Sequence, residues 1–267
     1  MNIFRFEFRM YIRSAILWSI AQILLLGVYM AMFPMFSRDA EALNALMKNY
    51  PKELMDAFGM SGVDLSSVTG YFGMLFSFVQ ICLAVQASNY GFSILSIEER
   101  ERTADFLITK PVKRTKIFNS KVSASILNLT ITNLFVWLSS FVFIEVFRGS
   151  KGYEKDIILM MLGSIVIFQL FFLTVGMAVS VVIKKVSSVL AFSLGFSFGM
   201  YILNAIGSMT DINLMSYVTP FKYFEPGYVI EKGQFDLTLM SVCLGIIMIS
   251  FIMSFVMYKR RNIHSVS

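Results

Sequence analysis

Six long apolar runs, almost free of charge, decide what this chain can fold into. They lie at Ser14–Phe36, Tyr71–Ile97, Val122–Phe147, Ile157–Ile183, Val186–Met209 and Leu237–Tyr258. Each reaches the roughly 20 residues needed to cross a hydrocarbon core of about 30 Å. Only the third holds an acid or base, Glu145, close to its end, where a solvated charge is expected. Lipid offers no hydrogen bonds to a backbone, so each run must satisfy its own N–H and C=O groups as a helix. The ten-residue alternating segments of a membrane barrel are absent. The chain is 57% hydrophobic and 15% charged, where soluble domains carry about a quarter charged residues. The expectation is an all-α integral membrane protein, with six transmembrane helices in one domain over residues 1–267.

Basic residues set the orientation. With the N-terminus in the cytoplasm, fifteen of the 23 Lys and Arg residues fall inside and twelve of the 17 acids outside. The expected topology is N-in, C-in. The formal net charge of +6 follows from these flanking residues and calls for no nucleic acid. The first run follows three arginines, as a secretion signal would. It is too long for one, and Phe33-Pro34-Met35-Phe36 offers no small-x-small cleavage site. Cys82 and Cys243 fall within runs and read as buried apolar thiols rather than a disulfide or metal site.

Between the runs, three segments carry a pattern. At the N-terminus, Phe4, Phe8, Tyr11 and Ile12 share one helical face beside a stripe of Arg5, Arg9 and Arg13. This predicts a short amphipathic helix over Asn2–Arg13 lying in the membrane interface, with a plain anchor as the alternative. Ser37–Gly70 predicts two short amphipathic helices outside, broken at Tyr50-Pro51. Thr210–Asp236 holds Pro220 and Pro226 among Tyr217, Phe221, Tyr223, Phe224 and Tyr228. It reads either as a short re-entrant helix or as an aromatic belt. Only Lys184-Lys185 joins the fourth and fifth runs, which predicts a tight antiparallel hairpin.

Within the runs, Gln22, Gln80, Gln86, Asn89, Asn128, Asn133, Gln169 and Asn204 are polar but uncharged. Such residues hydrogen-bond between helices in lipid, or line a substrate path. Gly195-Phe196-Ser197-Phe198-Gly199 has the spacing of a close-approach motif that suits a subunit interface. Chemistry is sparse. His264 is the only histidine, which excludes histidine-based metal and relay sites. There is no phosphate-binding Gly-x-x-x-x-Gly-Lys-Ser/Thr loop, no Gly-x-Ser-x-Gly elbow and no carboxylate pair inside a run.

One insert stands apart. After the second run the chain reads Glu98-Glu99-Arg100-Glu101-Arg102-Thr103-Ala104-Asp105-Phe106-Leu107-Ile108, then Pro111 and a basic run to Lys121. The acids suit a helix N-terminus. Phe106, Leu107 and Ile108 give an apolar patch, and Pro111 ends the helix. A helix with these features fits a groove on another protein. The alternative is an ordinary positive loop.

The insert, with Pro111-Val112-Lys113-Arg114 and Lys121, resembles the permease subunits of bacterial ABC exporters of the small six-span, type-two class. Tyr50-Pro51-Lys52-Glu53-Leu54 through Phe58-Gly59, and Thr219-Pro220-Phe221-Lys222-Tyr223-Phe224-Glu225-Pro226, extend the resemblance over nearly the whole chain. Arg102 stands where the family usually has Gly. The resemblance implies a multi-pass protein of the bacterial cytoplasmic membrane that pairs with a second permease, identical or not. It implies a non-catalytic chain that binds no cofactor itself, with ATP and Mg held by a separate cytoplasmic ATPase dimer. Glu98, Glu99, Arg100, Glu101, Arg102, Thr103, Phe106, Leu107, Ile108, Pro111 and Arg114 would form the coupling helix that fits the ATPase. Phe4, Arg5, Phe8, Arg9, Ile12 and Arg13 would belong to an elbow helix. Gln80, Gln86, Asn89, Asn128, Asn133, Gln169, Gly195 and Gly199 are the pathway or interface candidates. The charge-free spans favour an amphipathic cargo such as a peptide, antibiotic or lipid. The competing reading is a non-transporting scaffold or sensor that recruits a cytoplasmic partner through the same insert.

Overall fold

Each apolar run is a helix, and the helices extend beyond the runs. The computed structural model describes residues 3–38, 55, 63–96, 112–183, 186–210 and 217–260. The elements are α1 (Ile3–Arg38), α2 (Val68–Ile94), α3 (Arg114–Phe147), α4 (Lys155–Val182), α5 (Val189–Thr210), the short α6 (Pro220–Tyr223) and α7 (Pro226–Lys232), and α8 (Leu237–Arg260). Six of them, α1 to α5 and α8, are long and apolar enough to cross a membrane. The two helices expected within Ser37–Gly70 and the helical part of the insert fall outside the described residues.

The helices sort by how much of their surface the rest of the chain covers. The most apolar windows of α2 and α4 are 78% and 67% buried inside the chain, against 11% for α8. A helix apolar on every side can be either buried or bathed in lipid. What singles out α2 and α4 is mutual approach. A Cβ built on Gly91 would meet the Leu173 carbonyl oxygen at 2.5 Å and the Gly176 Cα at 3.1 Å. Only glycine admits that crossing. The sequence motif at Gly195 and Gly199 takes no part in it, for a Cβ at either would meet open space.

Around the α2–α4 core, α1 packs mainly on α3, α5 on α2, and α8 on α4. The tight α4–α5 hairpin expected from the two-lysine connection is not formed. α5 leans on α2 instead, where Ser88 and Ser197 hydroxyls meet at 3.0 Å. Bulky rings stand between α4 and α5, with Phe172 and Phe196 centroids 5.3 Å apart. Small polar residues permit backbone approach and phenylalanines forbid it.

The separate interfacial helix expected at the N-terminus is also replaced. α1 runs without a break for 36 residues, about 54 Å, so the amphipathic segment continues the first span. Its buried stripe is Glu7, Tyr11, Ala15, Ser19 and Gln22, facing α3, while Arg5, Arg9 and Arg13 are exposed. Polar bonds to α2 and α3 keep this segment upright, as described below.

The aromatic segment before α8 is re-entrant. Thr219 donates from its hydroxyl to the Met200 carbonyl at 2.9 Å. Met200 lies ten residues short of the end of α5, about 15 Å down the helix. Gln80 Nε2, twelve residues into α2, donates to the Phe224 carbonyl at 2.9 Å. Phe221 and Phe224 are buried against Phe168, with centroids 5.2 and 6.1 Å away. Proline at the first position of α6 and of α7 starts each short helix where its missing N–H costs nothing.

Candidate functional site

The two ends of the bundle differ in how they are closed. At the far end, the loop after α3 acts as a clasp. Lys151 donates to the carbonyls of Ser66 at 2.9 Å and Ser37 at 3.4 Å. Glu145, exposed as its position predicts, pairs with Arg148 at 2.7 Å and accepts from the Tyr153 hydroxyl at 2.8 Å. Burial, and then that carboxylate, hold the Tyr153 hydroxyl above the usual phenol range. Below the clasp, the interface of α1 and α3 with α2 and α4 is apolar, built from Leu26, Met30, Phe33, Tyr71, Leu75, Val136, Ile158 and Leu162 among others.

At the opposite, basic end the first turns of α3 are gripped from two sides. Lys121 Nζ lies 2.9 Å from Glu7 Oε1 on α1, and the two side chains are only 1% and 6% exposed. On the other side Phe118 sits among Phe251, Phe255 and Tyr258 of α8, with ring centroids at 5.7, 5.3 and 5.7 Å. Arg114 donates to the Lys259 carbonyl at 3.2 Å. Glu7 was not singled out by sequence reasoning. Its signal is an acid in an otherwise basic segment, in register with Tyr11, Ala15 and Ser19.

A polar seam rises from this grip toward mid-membrane. On α3, Lys121, Ser125, Asn128 and Thr132 recur at four-and-three spacing, all buried. Asn128 Nδ2 donates to the Ala124 carbonyl at 2.8 Å. Gln86 Nε2 of α2 donates to Thr132 Oγ1 at 2.8 Å, and Asn133 Nδ2 to Gln169 Oε1 of α4 at 2.9 Å. The Tyr11 hydroxyl donates to Ser93 Oγ of α2 at 2.9 Å. Several buried atoms in the seam, among them Glu7 Oε2, Gln86 Oε1, Asn133 Oδ1 and Gln169 Nε2, have no hydrogen-bond partner among the described residues.

The predicted site residues divide accordingly. Glu98, Glu99, Arg100, Glu101, Arg102, Thr103, Phe106, Leu107, Ile108 and Pro111 lie outside the described residues. Arg114 sits at the gripped base of α3. Of the elbow residues, Phe4, Phe8 and Ile12 are half-buried and Arg5, Arg9 and Arg13 exposed, all on α1. Gln86, Asn128, Asn133 and Gln169 belong to the seam, Gln80 anchors the re-entrant segment, and Asn89 is half-buried. Gly195 is exposed and Gly199 half-buried on α5.

The start of α3 is joined to α1 through the ion pair and to α8 through the rings. Among proteins of known kind, none of the curated sequences compared with the chain matches it. The family model described as ABC-2 family transporter protein matches residues 1–263. With six membrane-length helices on that match, the chain belongs to the ABC-2 transporter family and is a multi-pass membrane permease component of an ABC transporter.

Proposed function

We propose that this chain is the membrane half of an ATP-driven exporter in the bacterial cytoplasmic membrane, with its basic end in the cytoplasm. The segment Glu98–Ile108 is its coupling helix and docks into a cleft on a separate ATPase subunit. The observation that carries this reading is the gripped base of α3, the helix entered directly from that segment. Lys121 and Phe118 tie it to α1 and α8 within two turns. A helix that only had to span lipid would need no buried ion pair there, since desolvating two charges is costly.

Two copies, or this chain and a related one, pair through α5, whose Gly195 and Gly199 leave an open face. The cargo is amphipathic, a peptide, antibiotic or lipid, in keeping with helices that carry amides and hydroxyls but few charges. The test is co-purification of the chain with a co-expressed ABC ATPase subunit from the same genome. Replacing Arg100, Phe106 and Leu107 together is expected to abolish both ATPase binding and transport. Binding and transport that survive the triple replacement would overturn the assignment.

A further inference from the structure

A shallow groove of about 580 Å³ lies between the start of α3 and the first turn of α1. Phe4 forms one wall, and Lys113, Lys116, Asn119, Ser120 and Ser123 line the other. On α3 these residues recur at three-and-four spacing, so they form one stripe. Lys113 and Lys116 are exposed and have no acidic partner among the described residues. The face therefore presents positive charge together with hydroxyl and amide groups, beside an aromatic ring.

The same stripe continues along α3 as Leu127, Leu134 and Leu138, which are 41%, 56% and 65% exposed. The one polar residue between them, Thr130, returns its hydroxyl to the Ile126 carbonyl at 2.9 Å. From Ser123 to Glu145 is 22 residues, about 33 Å, close to the roughly 30 Å of a hydrocarbon core. With Glu145 at one surface, Ser123 stands at the other. Lys116 and Lys113 then stand at headgroup level, directly above an apolar track as long as an acyl chain.

We infer that this groove binds an anionic phospholipid of the leaflet at the basic end. The phosphate lies against Lys113, Lys116 and Asn119, and an acyl chain follows Leu127 and Leu134. Charge selects the headgroup and the apolar continuation selects lipid over a free anion. A lipid held there would brace the exposed face at the base of α3, beside Phe4 of α1. The inference does not depend on any ATPase and is tested on the chain alone.

The test uses the full chain with Cys82 and Cys243 replaced by Ala and a bimane fluorophore on Ser123→Cys. The chain sits in phosphatidylcholine vesicles, and brominated phosphatidylglycerol or brominated phosphatidylcholine is titrated in. Brominated phosphatidylglycerol is expected to quench at lower mole fraction. Replacing Lys113 or Lys116 by Gln should weaken that preference about 5-fold, and both together about 30-fold. A bimane at Leu138→Cys should respond to both lipids equally, which also reports that the variants remain folded in the bilayer. Equal quenching by both lipids at Ser123, or a preference that survives the double replacement, would overturn the inference. So would displacement by inorganic phosphate alone, which would make the groove a free-anion site.

Discussion

Replacing Lys121 by Met tests the grip on α3 with little change in side-chain bulk. Wild-type Glu7 is buried with one oxygen 2.9 Å from the ammonium and the other without a hydrogen-bond partner among the described residues. Removing the cation strands a carboxylate away from water, and breaking a buried pair in this way costs about 3–5 kcal/mol. Adding Glu7→Gln removes the stranded charge. The double variant should return to within about 1 kcal/mol of wild type, recovering about 2–4 kcal/mol of the single variant's loss. Thermal unfolding in detergent, followed with a thiol-reactive dye, reads this directly because Cys243 is buried and Cys82 half-buried in the folded chain. Lys121→Met should lower the midpoint by roughly 5–15 °C, with most of the loss recovered in the double variant. If Lys121→Met shifts the midpoint no more than an exposed Lys116→Met does, the pair sits in water and the grip described here does not exist.

Other positions give independent tests. Gly91→Val forces apart the backbones of α2 and α4 and should cost about 1–3 kcal/mol. Gly199→Val should leave monomer stability unchanged while weakening self-association, as seen by size-exclusion chromatography with light scattering. Gln80→Leu leaves the buried Phe224 carbonyl without its donor, a loss of about 1–3 kcal/mol. It should expose a Phe221→Cys thiol to water-soluble maleimide, which the wild-type segment shields. Lys151→Met removes the bridge between the Ser37 and Ser66 carbonyls and should speed proteolysis at the far end without altering behaviour at the basic end.

The spans were legible because bilayer thickness fixes how long an apolar run must be, and nothing else in the chain reaches that length. Which helix packs on which was not. In lipid an exposed leucine costs nothing, so apolar periodicity does not point to a partner. The contacts that decide packing join residues far apart in sequence. Glu7 meets Lys121, Gly91 meets Gly176, and Gln80 meets Phe224. A spacing rule sees only one helix at a time, so it did not find the Gly91–Gly176 crossing inside the chain. It joined α4 to α5 because their connection is short, although phenylalanines keep them apart. The N-terminal arginine stripe was read correctly as exposed, but the acid hidden beside it stands the helix upright. The aromatic segment stayed ambiguous because rings suit both a membrane surface and a packed interior. Only the amide of Gln80 and the hydroxyl of Thr219 show which one it occupies.

On the proposed reading, force enters the bundle through the segment before α3. The most direct measurement is a cross-link from Leu107→Cys, in the background lacking Cys82 and Cys243, to the ABC ATPase subunit co-expressed with this chain. A cross-link that forms in membranes and changes in yield when ATP and vanadate trap the ATPase is the predicted result. Co-purification of the two proteins with no cross-link from this segment in any nucleotide state would contradict it.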